Sequence, residues 1–378
     1  MDRLPPELLS TIFRFALPSL SFAPLASAIP FAPAPHHIRA ARTLACVSKR
    51  WRSVLEPVLK HTILLSCADS LHTAAADVAT GRRRLEVKAL VVEESKDKPP
   101  VSVLAELFLG DLGAHYSMMA EEAVPQVLRA CPELRSLTLS NGELHSLSMV
   151  QLPSLCSLHL HNLVLDRAAF PVLPSLQTLI LHKVITREPG PTLSSASFPS
   201  LRLLALLAGT LASFDPLPTA LPSLRALACA WGASPQTRQL HDWLREGITP
   251  FPPLALFVLD GESLSRLLTP DNDNDPGPNP FSLLKADHGS LDLTSVAHFN
   301  LEDLGGVFAL LEHTVRHNWD TGSIECIYLP GSGQTPVEAR ELIERGAVNI
   351  GAKVEYEEPA EEAGWARLPG SFVARAFD

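Results

Sequence analysis

Six times between residues 134 and 259 the chain repeats Leu-x-x-Leu-x-Leu with small variations, and this spacing constrains its fold more than any other feature. The units are Leu134, Leu137, Leu139; Leu155, Leu158, Leu160; Leu176, Leu179, Leu181; Leu201, Leu204, Leu206; Leu224, Leu227, Cys229; and Leu254, Phe257, Leu259. They begin 21, 21, 25, 23 and 30 residues apart, and Pro-Ser-Leu opens four of them in the same phase, at Pro153, Pro174, Pro199 and Pro222. In one short strand the fourth and sixth positions share a face, and the first sits at the bend leading into it. A lone strand of this kind cannot bury its leucines. Stacked parallel copies bury one another.

The first four intervals fall in the range of about 20–29 residues that marks a leucine-rich-repeat solenoid. Between units the chain is Pro-rich and too short for long helices, so loops, single turns and short helices are expected on the convex side. Asn141 and Asn162 stand near the usual asparagine position after the last leucine, in two units only. Weaker copies extend the array: Val87, Leu90, Val92 before it and Ile324, Ile327, Leu329 after it. We expect residues 61–378 to form the solenoid, with the clearest repeats in 131–260 and an αβ cap region in 281–378. Helical spacing predicts a helix from Leu301 to His317 with Asn300 as cap, and another from Val337 to Gly346. Glu355, Glu357, Glu358, Glu361 and Glu362 read as a solvated acidic segment. Asp271-Asn272-Asp273-Asn274-Asp275 suggests a calcium loop. Pro276 and Ser282, however, occupy the sixth and twelfth places that an EF-hand reserves for Gly and Glu, so it reads as a polar loop.

The first sixty residues differ. Leu4, Leu8, Leu9, Ile12 and Phe13 form an apolar stripe on a short helix. Asp2 precedes it, Pro5 and Pro6 suit the first turn, Glu7 suits the positive end of the dipole, and Pro18 ends it. A Pro-rich insert follows at 17–38. It has no charge from Phe15 to Pro35 and includes Ala26-Ser27-Ala28. An opening with balanced charges and five prolines argues against a signal or spanning helix there. A second stripe comprises Ala41, Leu44, Val47, Trp51, Val54, Leu55 and Val58, with Arg42, Lys49, Arg50 and Arg52 on the polar side. So small a piece buries a thin core, and an apolar helical patch lacking an internal partner marks an external one.

Two segments carry a resemblance. Leu4-Pro5-Pro6-Glu7-Leu8-Leu9-Ser10-Thr11-Ile12-Phe13 and Cys46-Val47-Ser48-Lys49-Arg50-Trp51-Arg52 resemble the two halves of the F-box motif, here joined by a longer connection than usual. With the repeats behind them, the chain is similar to F-box proteins carrying C-terminal leucine-rich repeats, of the fungal type. The resemblance implies an α/β chain: an α-helical F-box-like module at 1–60, then an irregular leucine-rich-repeat solenoid with a parallel β-sheet. It implies a Skp-type adaptor of a cullin–RING ubiquitin ligase as partner. Leu4, Pro5, Leu8, Leu9, Ile12 and Phe13 would supply the first helix's share of that contact. Val47 and Trp51 would serve as contact or as core.

A formal net charge of −10 and a pI near 5.8 disfavour wrapping a nucleic-acid backbone. Six scattered cysteines without a C-x-x-C read as small apolar fillers in a reducing, intracellular compartment. Phosphate-loop, dinucleotide, zincin and nucleophile-elbow motifs are absent, so no enzyme and no cofactor are expected. His159, His161 and His182 lie in or just after repeat strands and read as ordinary histidines before they read as a metal site. On the strands, the positions between the leucines are expected to face outward. Among them Arg135, Arg202 and Arg225, with His159, are the candidate contacts for a protein target, either through an acidic or phosphorylated segment or as ordinary surface residues. The function these features suggest is recruitment of a target to a ubiquitin ligase. The alternative is a repeat scaffold acting outside one.

Overall fold

The structure, a computed structural model, describes residues 4–17, 35–65, 73–77, 87–93, 123–144, 151–165, 170–186, 196–207, 221–230, 254–259, 289–292, 310–312, 314–316, 324–330 and 337–357. The Pro270–Pro280 loop and most of the 17–38 insert lie outside them. Two compact units divide the chain. The first is Met1–Thr178 with Val184–Thr192 and Ala196–Phe198; the second is Leu179–Lys183, Leu193–Ser195 and Pro199–Asp378.

The first unit opens with helices α1 (Pro6–Ala16), α2 (Pro35–Val47) and α3 (Lys49–Lys60). Strands β1 (Thr62–Leu65) and β2 (Ala89–Glu93), helix α4 (Ala123–Arg129), and strands β3 (Ser136–Leu144) and β4 (Ser157–Leu165) follow. Strand β5 (Thr178–Thr186) has residues in both units. The second unit holds β6 (Leu203–Leu207), β7 (Ala226–Ala230), β8 (Leu256–Leu259), β9 (Gly289–Asp292), β10 (Ile324–Pro330), α5 (Val337–Asn349) and β11 (Lys353–Glu357). β1 to β4 pair in parallel in chain order, and so do β6 to β11. The fold is an α-helical module followed by a parallel-strand leucine-rich solenoid.

Register explains the leucine spacing. Leu90, Leu137 and Leu158 stand side by side across β2, β3 and β4, and Val92, Leu139 and Leu160 form the next row. All six are buried. Each such leucine contributes about 1.5–3 kcal/mol by leaving water. In the second unit Leu204, Leu227, Phe257 and Leu291 are aligned in the same way.

The Pro-Ser-Leu phrase has its own cause. Leu155 N–H donates to the Leu152 carbonyl, Leu176 to Leu173, and Leu224 to Leu221, each closing a turn with Pro at its second place, where a fixed φ helps. The serine hydroxyl then reaches back one repeat: Ser175 donates to the Pro153 carbonyl at 2.7 Å, and Ser223 to the Pro199 carbonyl at 3.0 Å.

Several expectations change. The second apolar stripe is two helices, because Ser48 caps α3: its Oγ accepts from Trp51 N–H at 3.1 Å in extended backbone. Helix α2 begins at Pro35, inside the expected insert, and buries Ile38 completely. Helix α5 runs past Gly346, where glycine serves close packing: a Cβ there would meet Leu311 Cδ1 at 2.8 Å. The stop comes at Gly351 with φ 76°, and Ala352 N–H closes back on the Ala347 carbonyl. Glu355 and Glu357 lie in a strand, opposite Tyr328 and Pro330. Tyr356 between them donates to Glu344 Oε1 at 3.2 Å.

The largest correction concerns the positions between the leucines. Ser136, Thr138, Ser157, Thr178, Ile180, Leu203, Ala205, Ala226 and Ala228 are buried instead of facing outward. A parallel sheet is stable with both faces covered. On β1 and β2 the cover is the helical module itself. Leu64 and Val91, paired in register, belong to one core with Leu9, Phe13, Ile38 and Leu55. Thr138 stands next in the Val91 row.

Candidate docking face and repeat edge

Helix α1 starts on Pro5 at φ −56° and ψ 147°, with Pro6 inside the first turn and Leu9 N–H donating to the Pro5 carbonyl. Its apolar stripe splits into two sides. Leu9, Phe13 and Leu17 are at most 3% exposed and face α2, α3 and the first strands. Leu8 is 50% and Ile12 47% exposed, one helical turn apart on the other side. Pro5 is exposed, and Leu4 packs partly against the core.

Phe13 does have internal company. Its ring meets Trp51 edge to face, with centroids 5.4 Å apart at 74°. Trp51 is half-buried against the same core. Arg52 Nε donates to the Ala45 carbonyl at 3.3 Å, tying α3 to α2 across the Ser48 break. Val47, at the end of α2, is 61% exposed. Of the eight residues carried by the motif, Leu9 and Phe13 shape the module from within, Leu4 and Trp51 lie at its margin, and Pro5, Leu8, Ile12 and Val47 reach solvent.

In the repeats, the accessible row is the residue just after each turn leucine. Lys88, Cys156, Gln177 and Arg202 are half-buried there; Arg135 and Arg225 are exposed. The backbone at this edge is tightly held. The Lys88 carbonyl accepts from both Arg135 and Ser136 N–H, the Arg135 carbonyl from Cys156 and Ser157, and the Arg202 carbonyl from Arg225 and Ala226. Lys88 was missed in the sequence. It follows Val87 as Arg135 follows Leu134, and the weaker copy carried that signal.

Burial raises the Cys156 thiol pKa, and the charge of Arg135 beside it acts in the opposite direction. Burial pushes Cys131 up to about 11, so that thiol is inert. His159 is half-buried on the sheet face, its Nε2 without a hydrogen-bond partner, and desolvation lowers its pKa to about 4. It is therefore neutral at pH 7. The described residues contain no group of three or more His, Cys, Asp or Glu placed to hold a metal ion. No described helix is long and apolar enough to cross a membrane.

No curated protein matches the chain. Residues 44–230, from within α2 through β7, match the family model described as "FBD-associated F-box protein At5g56370, LRR repeats". The match does not bear on the fungal type; over that stretch the chain is similar to the leucine-rich repeats of F-box/leucine-rich-repeat proteins.

Proposed function

We propose that the protein is a substrate-recruiting subunit of a cullin–RING ubiquitin ligase, working inside the cell. The observation that carries this reading is the exposure of Leu8 and Ile12 on the outer side of α1, above a core that Leu9 and Phe13 have already closed. Large apolar side chains left in water on a well-packed helix suit an external groove. Pro5 and Val47 add to the exposed set, and the match to the repeats of an F-box protein agrees with it.

The mechanism is proximity. The helices dock on a Skp-type adaptor, the repeats hold a target protein, and a separate enzyme transfers ubiquitin. Raising local concentration is the whole contribution, so no side chain here performs chemistry. Arg135, Arg202, Arg225 and His159 are the proposed contacts to the target.

Co-purification of the full chain with a Skp-type adaptor tests the reading. The wild type should capture the adaptor, and Leu8→Asp should lose it while the fold persists. A folded wild-type chain that does not bind would leave the second reading, a repeat scaffold outside any ligase. The extra length between α1 and α2 favours that second reading.

A further inference from the structure

The bends that open the repeat strands place cations side by side. Lys88 and Arg135 occupy the same backbone position on neighbouring strands β2 and β3, and Arg202 and Arg225 do so on β6 and β7. Adjacent strands lie about 4.8 Å apart. Like charges on neighbouring strands are destabilising. The carbonyl ladder leaves the backbone at these positions little freedom to draw apart. This arrangement occurs in both units of a chain whose formal net charge is −10.

The surroundings point the same way. The sheet-face residues that follow three of the cations, Ser136, Leu203 and Ala226, are buried, so there the repeats meet solvent at the bend and not on the strand. The turns before Arg202 and Arg225 read Phe-Pro-Ser-Leu and Leu-Pro-Ser-Leu and carry no carboxylate; in the first pair Glu86 precedes Lys88 by two residues, as the exposed Glu133 precedes Arg135. The Arg135 charge is felt at the Cys156 thiol, so it extends along the edge toward the next repeat.

We propose that each pair, Lys88 with Arg135 and Arg202 with Arg225, receives carboxylates of an acidic, Asp/Glu-rich segment of a partner polypeptide. This rests on reading the protein as a target-holding subunit and names the chemistry of what it holds. Two neighbouring cations on a fixed backbone suit successive carboxylates, and each charge-assisted bond outweighs a neutral one. The acidic remainder of the chain repels such a segment elsewhere, which directs it to these edges.

The test uses the full chain and a fluorescent Glu/Asp-rich peptide, titrated at low and moderate salt. Reversing either pair (Lys88→Glu with Arg135→Glu, or Arg202→Glu with Arg225→Glu) should weaken binding by roughly tenfold or more and flatten its salt dependence. Arg345→Glu, on the exposed side of α5, makes half that charge change and should leave binding near wild type. Thermal unfolding confirms that each variant is folded, and the single variants Arg135→Gln and Arg225→Gln provide a milder second reading. Wild-type affinity in both folded pair variants overturns the proposal. So does an equal loss from Arg345→Glu, or binding of a phosphoserine peptide with none of the carboxylate peptide. Adaptor capture by the pair variants is scored separately: its retention with loss of peptide binding isolates this edge, and its absence in wild type counts only against the ligase reading.

Discussion

The hydroxyl of Ser175 donates to the carbonyl of Pro153, 2.7 Å away and 22 residues earlier, so one repeat is stitched to the last at the turn as well as at the strand. Ser223 and Pro199 repeat the bond at 3.0 Å. Ser175→Ala should destabilise the chain by about 0.5–1.5 kcal/mol, the usual net value of such a bond, with little change in the denaturant slope. Urea unfolding measures it. Ser154→Ala, in the same turn position one repeat back, is the comparison.

Gly346 sits in mid-helix, where alanine is normally favoured by about 1 kcal/mol. Here the added Cβ would meet Leu311 Cδ1 at 2.8 Å. Gly346→Ala should therefore destabilise by about 1–3 kcal/mol, as overpacking does. Pairing it with Leu311→Ala should recover part of that loss. Thermal unfolding of the two singles and the double gives the coupling.

Leu8 and Leu9 are neighbours in sequence with opposite surroundings: one half in water, the other 2% exposed. Leu9→Ala should cost about 2–5 kcal/mol. Leu8→Ala should change stability by less than about 0.5 kcal/mol. Adaptor capture should show the reverse sensitivity, strongest for Leu8→Asp.

The pKa of His159 is lowered by burial from 6.5 to about 4. As pH falls, the unfolded chain takes up this proton first, so stability present above pH 6.5 is lost between about 6.5 and 4. A shift of that size corresponds to at most about 3 kcal/mol. Urea midpoints followed across that window should fall, and His159→Gln should make them markedly less steep.

The leucine rows could be read from the sequence because spacing in this fold is register: a leucine 21 residues after another is its neighbour in the sheet. Strands without that mark went unread. β9 is Gly-Ser-Leu-Asp, and β11 alternates Lys353, Glu355 and Glu357 with Val354 and Tyr356, which read as a solvated run. β9 holds one leucine and β11 none, so only pairing identifies them: β9 with β8 and β10, and β11 with β10. Gly346 misled because glycine ends helices for one reason and permits close approach for another. Hydropathy also gives Leu8 and Leu9 the same value. Which of them meets water depends on where α2 and α3 lie, and that depends on Ser48 breaking the second stripe.

Leu64 and Val91 come from strands, yet they line the same interior as Phe13 and Leu55. The N-terminal helices are thus not a cassette. A cut after Lys60 would strip them of part of their floor, and the severed repeats would expose Leu64 and Val91 to water. Transplanting the exposed face of α1 onto another array requires carrying β1 and β2 along. A graft that ends at the helix boundary delivers the right sequence without the interior that keeps Leu8 and Ile12 aimed outward.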